Sequence, residues 1–276
     1  MNFKKIIAYG DSWTVGEGWN QKNEERILST IPNWVDNDEG FAAQPKPLYD
    51  LRTQHSWVRW LADKFNVPYE VKAICGGSNQ QIFQNVESDF QNNHINKDTL
   101  LICMWSSALR ETIDFFPSSF DEPSPFIFWS SDLMGEHGRF LKEGNHNFEY
   151  YYKKYFVTEL LDTSYFEYKS FNYKKLIEKY TEYHGIPFLQ CNAFESEKTK
   201  EWDETYFKPN STMFDEIVEI DNNIWQDKPE FKKKITKYLN ALHPNTKGYK
   251  IIADILYDYI IKNDLHTRVR LQSGLI

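Results

Sequence analysis

The stretch Thr99 to Trp105, TLLICMW, constrains this chain more than any other. It carries no charge and no alternation of apolar with polar residues. That pattern fits a strand buried on both faces, and such strands belong to parallel sheets covered by helices on each side. Shorter apolar runs at 3–9, 67–75 and 186–191 read as companion strands. Between them, helical spacing recurs. Trp57, Trp60, Leu61 and Phe65 fall on one face of a helix over 56–65, with Ser56 as its cap. Further helices are expected over 80–90, 151–184 with a break near Asp162 to Ser164, 231–239 and 246–262. Strands alternating with helices predict a three-layer α/β/α fold with a mostly parallel central sheet.

The chain has 276 residues, compatible with one elaborated domain spanning 1–276. Three segments lack a clear period and read as long irregular insertions: about 14–53, 112–150 and 193–230. The second is rich in Pro, Ser and aromatic residues and suits a lid or rim.

Several function classes drop out early. A net charge of -8 lacks the electrostatic footprint of a nucleic-acid binder. The nearest basic cluster, KPEFKKK at 228–234, reads as a solvated helix face. No apolar run reaches the roughly 18 residues of a membrane helix. The N-terminal apolar run is too short for a signal peptide, so a cytoplasmic protein without a membrane partner is expected. Cys75, Cys103 and Cys191 form no Cys-x-x-Cys pair, and their odd number favours free thiols. His137 and His146 sit in a polar stretch and are read as solvated, so no metal site is expected.

Ligands of open parallel sheets bind beyond the carboxyl ends of the strands. Gly10, Gly76 and Trp105 each close a predicted strand and should therefore gather on one edge. Gly10-Asp11-Ser12 puts a hydroxyl at a strand-to-helix junction, where the serine's own N–H helps form an anion site. Near the other terminus, His243-Pro244-Asn245 precedes a helix. A histidine fixed there can serve as general base toward a serine.

A serine after the first strand and an HPN-type histidine before the last helix resemble the SGNH, or GDSL-type, hydrolase family of esterases and lipases. The resemblance spans residue 3 to about 262 and implies a flavodoxin-like SGNH fold. It makes Ser12 the nucleophile and His243 the base. The family's oxyanion-hole glycine corresponds to Gly76, with Gly77 as the alternative, in Cys75-Gly76-Gly77-Ser78-Asn79. The family's third block carries an asparagine that this chain lacks. By position Ser107 replaces it, with Ser106 close behind, and a missing donor of this kind typically costs about a hundred- to a thousand-fold in rate. Asn79 and Arg110 are candidate substrate ligands.

The fourth block, Asp-x-x-His, also departs, because Asn240 stands where the aspartate belongs. An Asn oxygen can orient the ring but cannot balance its charge. In the serine-protease triad the same replacement costs about four powers of ten. Asp215, Asp221, Asp227 or a main-chain carbonyl are the other candidates to orient His243.

The resemblance implies a serine-dependent ester hydrolase that needs no metal or organic cofactor. Its substrate would be a small-molecule or carbohydrate ester. The aromatic share of 17% favours an O-acylated carbohydrate, since flat rings stack on sugar faces. The two departures favour a rival, a catalytically impaired module that binds a glycan or protein. An acyltransferase on the same scaffold is the third reading. No Gly-x-Ser-x-Gly elbow, P-loop lysine, dinucleotide glycine motif or His-Glu-x-x-His helix occurs.

Overall fold

Four parallel strands carry the molecule: β1 (Lys5–Gly10), β2 (Tyr69–Ala73), β3 (Thr99–Trp105) and, later in the chain, Phe188–Asn192. The computed structural model describes residues 3–30, 46–108, 110–115, 124–129, 163–193, 239–240 and 243–265. Between β1 and β2 lie α1 (Ser12–Val15), α2 (Gln21–Leu28), α3 (Lys46–Thr53) and α4 (Trp57–Phe65). Helix α5 (Asn79–Gln91) leads to β3, and β3 is followed by a hairpin of β4 (Arg110–Phe115) and β5 (Ser124–Trp129). Helix α6 (Thr163–His184) precedes β6 (Phe188–Asn192). The short pair β7 (Leu239–Asn240) and β8 (His243–Pro244) then leads into α7 (Thr246–Lys262).

The strand order is β2-β1-β3-β6, and every pairing among these four is parallel. This is the α/β architecture expected for an SGNH-type fold. Its layering follows from the period of two along each strand. Ile6 and Ala8 point to one face, with Leu100, Ile102 and Met104, and meet Trp57, Leu61, Tyr249, Ile252 and Leu256 from α4 and α7. Ile7 and Tyr9 point to the other, with Leu101, Cys103 and Trp105, and meet Ile82, Val86 and Ile177 from α5 and α6. Fully burying one such aliphatic side chain stabilises the fold by about 1.5–3 kcal/mol.

The caps show why the helices begin where they do. Ser78 and Gln81 form a reciprocal capping box on α5. Asn245 accepts from the N–H groups of Lys247 and Gly248 at the start of α7. Ser56 occupies the cap position of α4, but its hydroxyl donates to the Thr53 carbonyl at 3.0 Å instead of capping the helix.

Two sequence expectations are corrected here. Within 14–53, expected to be irregular, α2 and α3 form, and Arg52 from α3 reaches back to Glu24 on α2. Within 112–150, most of the β4–β5 hairpin appears, antiparallel from Arg110–Trp129 to Phe115–Ser124. Helices α2 and α3 carry few apolar residues, and a buried Arg52–Glu24 bond joins them. Segment 194–238 lies outside the described residues, and with it Asp215, Asp221, Asp227 and nearly all of the helix expected over 231–239. His137 and His146 lie outside them too. Cys75, Cys103 and Cys191 are free thiols. Among the described residues, no helix is long and apolar enough to cross a membrane.

Candidate active site

The register of the sheet aligns Gly10 with Ala73 and Trp105 with Asn192, so the segments that follow β1, β2, β3 and β6 emerge along one edge. Gly10 must be glycine there. A Cβ on it would lie 2.1 Å from Thr14 Oγ1 and 3.0 Å from the Met104 carbonyl. That close approach lets the chain turn at once from β1 into α1. Asp11 caps the short helix, accepting from the Trp13 N–H at 3.1 Å. Ser12 is its first residue and is 4% exposed.

His243 arrives from the opposite end of the chain on β8, held in register opposite Asn240 of β7. Its Nε2 lies 2.9 Å from Ser12 Oγ. A hydroxyl and an imidazole at that separation share one proton, which is what a nucleophile and its general base require.

The carboxylate beside this pair comes from an unexpected residue. Glu17 Oε2 lies 3.5 Å from His243 Nε2, and Glu17 Oε1 lies 3.4 Å from Arg52 Nη2. Arg52 is buried and also donates through Nε to Glu24 Oε2 at 2.8 Å. Burial pushes the Arg52 guanidinium down, but the charges of Glu17, Cys75 and Glu24 outweigh it and hold the group charged. The Glu17 backbone is fixed as well. Its N–H donates to the Ser12 carbonyl at 3.1 Å, and its carbonyl accepts from the Tyr249 hydroxyl at 2.7 Å. Gly16, with φ of +102°, makes the reversal between α1 and Glu17. Sequence reasoning missed Glu17 and Arg52. The glycines on each side of Glu17 were the visible signal, since they mark a tight turn directly after the Gly10-Asp11-Ser12 segment.

The loop after β3 is braced from below. Asn79 is buried, and its Nδ2 donates to the Ser106 carbonyl at 3.0 Å and to Ser170 Oγ at 2.8 Å. Its Oδ1 accepts from the Ser106 N–H at 2.8 Å. The side chain expected to meet substrate thus makes three internal hydrogen bonds, two of them to the Ser106 backbone. The Ser106 hydroxyl donates to Asp11 Oδ2 at 2.8 Å, which ties the β3 loop to the cap of α1. Ser107 follows on the same edge and is half-buried. Gly76 follows β2 there, with φ of +76°. Arg110 opens β4, and its side chain, like that of Asn240, lies outside the described residues. Among the described residues, no group of three or more His, Cys, Asp and Glu is placed to hold a metal ion.

Solved structures similar to this chain include two lipolytic proteins of the G-D-S-L family and a carbohydrate esterase. A lipolytic-type protein of the G-D-S-L family from Desulfitobacterium hafniense DCB-2 is 11% identical, with 93% of this chain and 99% of that chain covered and a TM-score of 0.39. A carbohydrate esterase, whose active site has divergent catalytic and non-catalytic binding functions, is 12% identical over 95% of this chain and 66% of its own, with a TM-score of 0.41. A member of the lipolytic G-D-S-L family from Veillonella parvula DSM 2008 is 12% identical over 97% and 99%, with a TM-score of 0.32. No protein-family model and no curated protein matches the chain.

Proposed function

We propose that this protein is a serine-dependent ester hydrolase. The observation that carries the reading is the 2.9 Å separation of Ser12 Oγ and His243 Nε2 at the carboxyl edge of the sheet. Ser12 Oγ attacks the acyl carbon as its proton passes to His243 Nε2, and the carbonyl electron pair moves onto oxygen. The N–H groups of Ser12 and Gly76 and the hydroxyl of Ser107 are the donors assigned to that oxyanion. The imidazolium returns the proton to the leaving alcohol, and a water activated by the same ring then releases the acid. An O-acylated carbohydrate is the substrate class favoured by the aromatic content of the chain.

Incubation with p-nitrophenyl acetate and with a fluorophosphonate tests the reading. Turnover and covalent labelling should both be present in the native protein and both be lost in Ser12→Ala. The absence of the usual asparagine after β3 and of an aspartate at 240 supports a second reading, a glycan- or protein-binding module. Silence toward a broad ester panel, together with an unlabelled Ser12, would select that one.

A further inference from the structure

We propose that Glu17 is the acid of this site: held by Arg52, it balances the positive charge that His243 acquires from Ser12. This rests on the ester-hydrolase reading of Ser12 and His243. A base that accepts a proton becomes a cation, and in a half-buried site that cation needs a counter-charge. Asn240, opposite His243 in the β7–β8 pair, has none to give. Glu17 does, and its Oε2 stands 3.5 Å from the same nitrogen that faces Ser12.

The choice of nitrogen decides what Glu17 does. An acid on the far nitrogen would fix the tautomer. An acid beside Nε2 acts on the proton itself. While the ring is neutral, the Nε2 lone pair faces both the Ser12 hydroxyl and the carboxylate, and the carboxylate repels it. Once Nε2 carries the proton, the same carboxylate attracts it. Both effects favour transfer from Ser12 Oγ to Nε2 as the bond from Oγ to the acyl carbon forms. Glu17 takes no proton and stays a carboxylate throughout.

The surrounding elements look built for this placement. Arg52, from α3, is buried and bridges Glu17 to Glu24 of α2, so a positive charge stands beside the carboxylate. Gly18 donates its backbone N–H to Glu24, and Trp19 accepts from the Thr246 N–H at 3.3 Å. The turn that bears Glu17 is thereby stitched to α2 on one side and to the start of α7, directly after His243, on the other. Among the described residues, Tyr249 on α7 feels the charge of Glu17, together with those of Glu24, of Cys75 after β2 and of Asp11 at the cap of α1. Of these, only Glu17 changes in the variants below.

The full-length chain tests this by the titration of the His243 ring, followed by NMR and assigned through its loss in His243→Gln. Glu17→Gln should lower the His243 pKa by roughly one unit, a tenfold change in protonated fraction. The acid limb of the pH profile for fluorophosphonate inactivation should move down by the same amount, and its plateau rate should fall about tenfold. Glu17→Asp, which keeps the charge, should stay near the native values in both. A His243 that titrates identically in the native protein and in Glu17→Gln overturns the role of Glu17, even if Ser12 labels normally. A protein that neither labels nor hydrolyses esters, yet whose His243 moves in Glu17→Gln, overturns the hydrolase reading and leaves the Glu17–His243 coupling in place.

Discussion

The Tyr249 hydroxyl donates to the Glu17 carbonyl at 2.7 Å, joining the last helix to the turn after the first strand. Tyr249 is fully buried, and burial together with the nearby negative charges keeps its phenol protonated and able to donate. Tyr249→Phe removes the donor and leaves the carbonyl without it. The expected cost is about 1–2 kcal/mol, a fall in Tm of roughly 2–4 °C for each kcal/mol in a chain of this size. Differential scanning calorimetry measures the fall, and amide exchange should quicken at Glu17 and Gly18. A Tm equal to that of the native protein would show that this tie contributes nothing.

Asn79 gives a test that separates bracing from substrate binding. Asn79→Ala strips partners from the Ser106 N–H, the Ser106 carbonyl and the Ser170 hydroxyl, all linked to it in the interior. Each orphaned buried group costs about 1–3 kcal/mol, so a loss of about 3 kcal/mol in urea unfolding is expected even after relaxation. Ser170→Ala, which removes one of the three bonds, should cost about 1 kcal/mol. A substrate-binding role predicts the opposite pattern, a raised KM at unchanged stability.

Lys174 supplies a pH dependence. Its ammonium nitrogen donates to Asn192 Oδ1 at 2.9 Å and is buried beneath the edge that carries the site. Burial lowers its pKa to about 7, whereas in the unfolded chain a lysine titrates near 10.4. Between those values the unfolded state binds the extra proton, so this residue's contribution to stability rises with pH across the window. Below about pH 7 the folded protein carries the full cost of a buried charge. The stability of Lys174→Met relative to the native protein should therefore be greater at about pH 6 than at about pH 9.5. Urea unfolding at both values measures it, and a difference that does not change with pH would mean that Lys174 titrates normally in the fold.

The central strand β3 was legible because burial on both faces leaves a local mark. Thr99–Trp105 and Thr246–Lys262 lie where the residue pattern predicts them. Helices α2 and α3 were not legible, since a buried Arg52–Glu24 bond holds them and no long apolar stripe announces them. The role of Asn79 was not legible for a related reason. An amide beside two glycines after a strand looks the same in sequence whether it meets a ligand or braces the neighbouring loop.

The sequence by itself determined the layers, the strand-to-helix turn at Gly10-Asp11-Ser12, and a histidine ahead of the last helix. These depend on side-chain period, glycine geometry and capping, which act over a few neighbouring residues. Only the tertiary structure decided that Ser12 and His243, 231 positions apart, come within 2.9 Å, and that the carboxylate next to them is Glu17. Contacts of that kind form where the two ends of the chain pack against one sheet edge, and no local pattern records which charge will be waiting there.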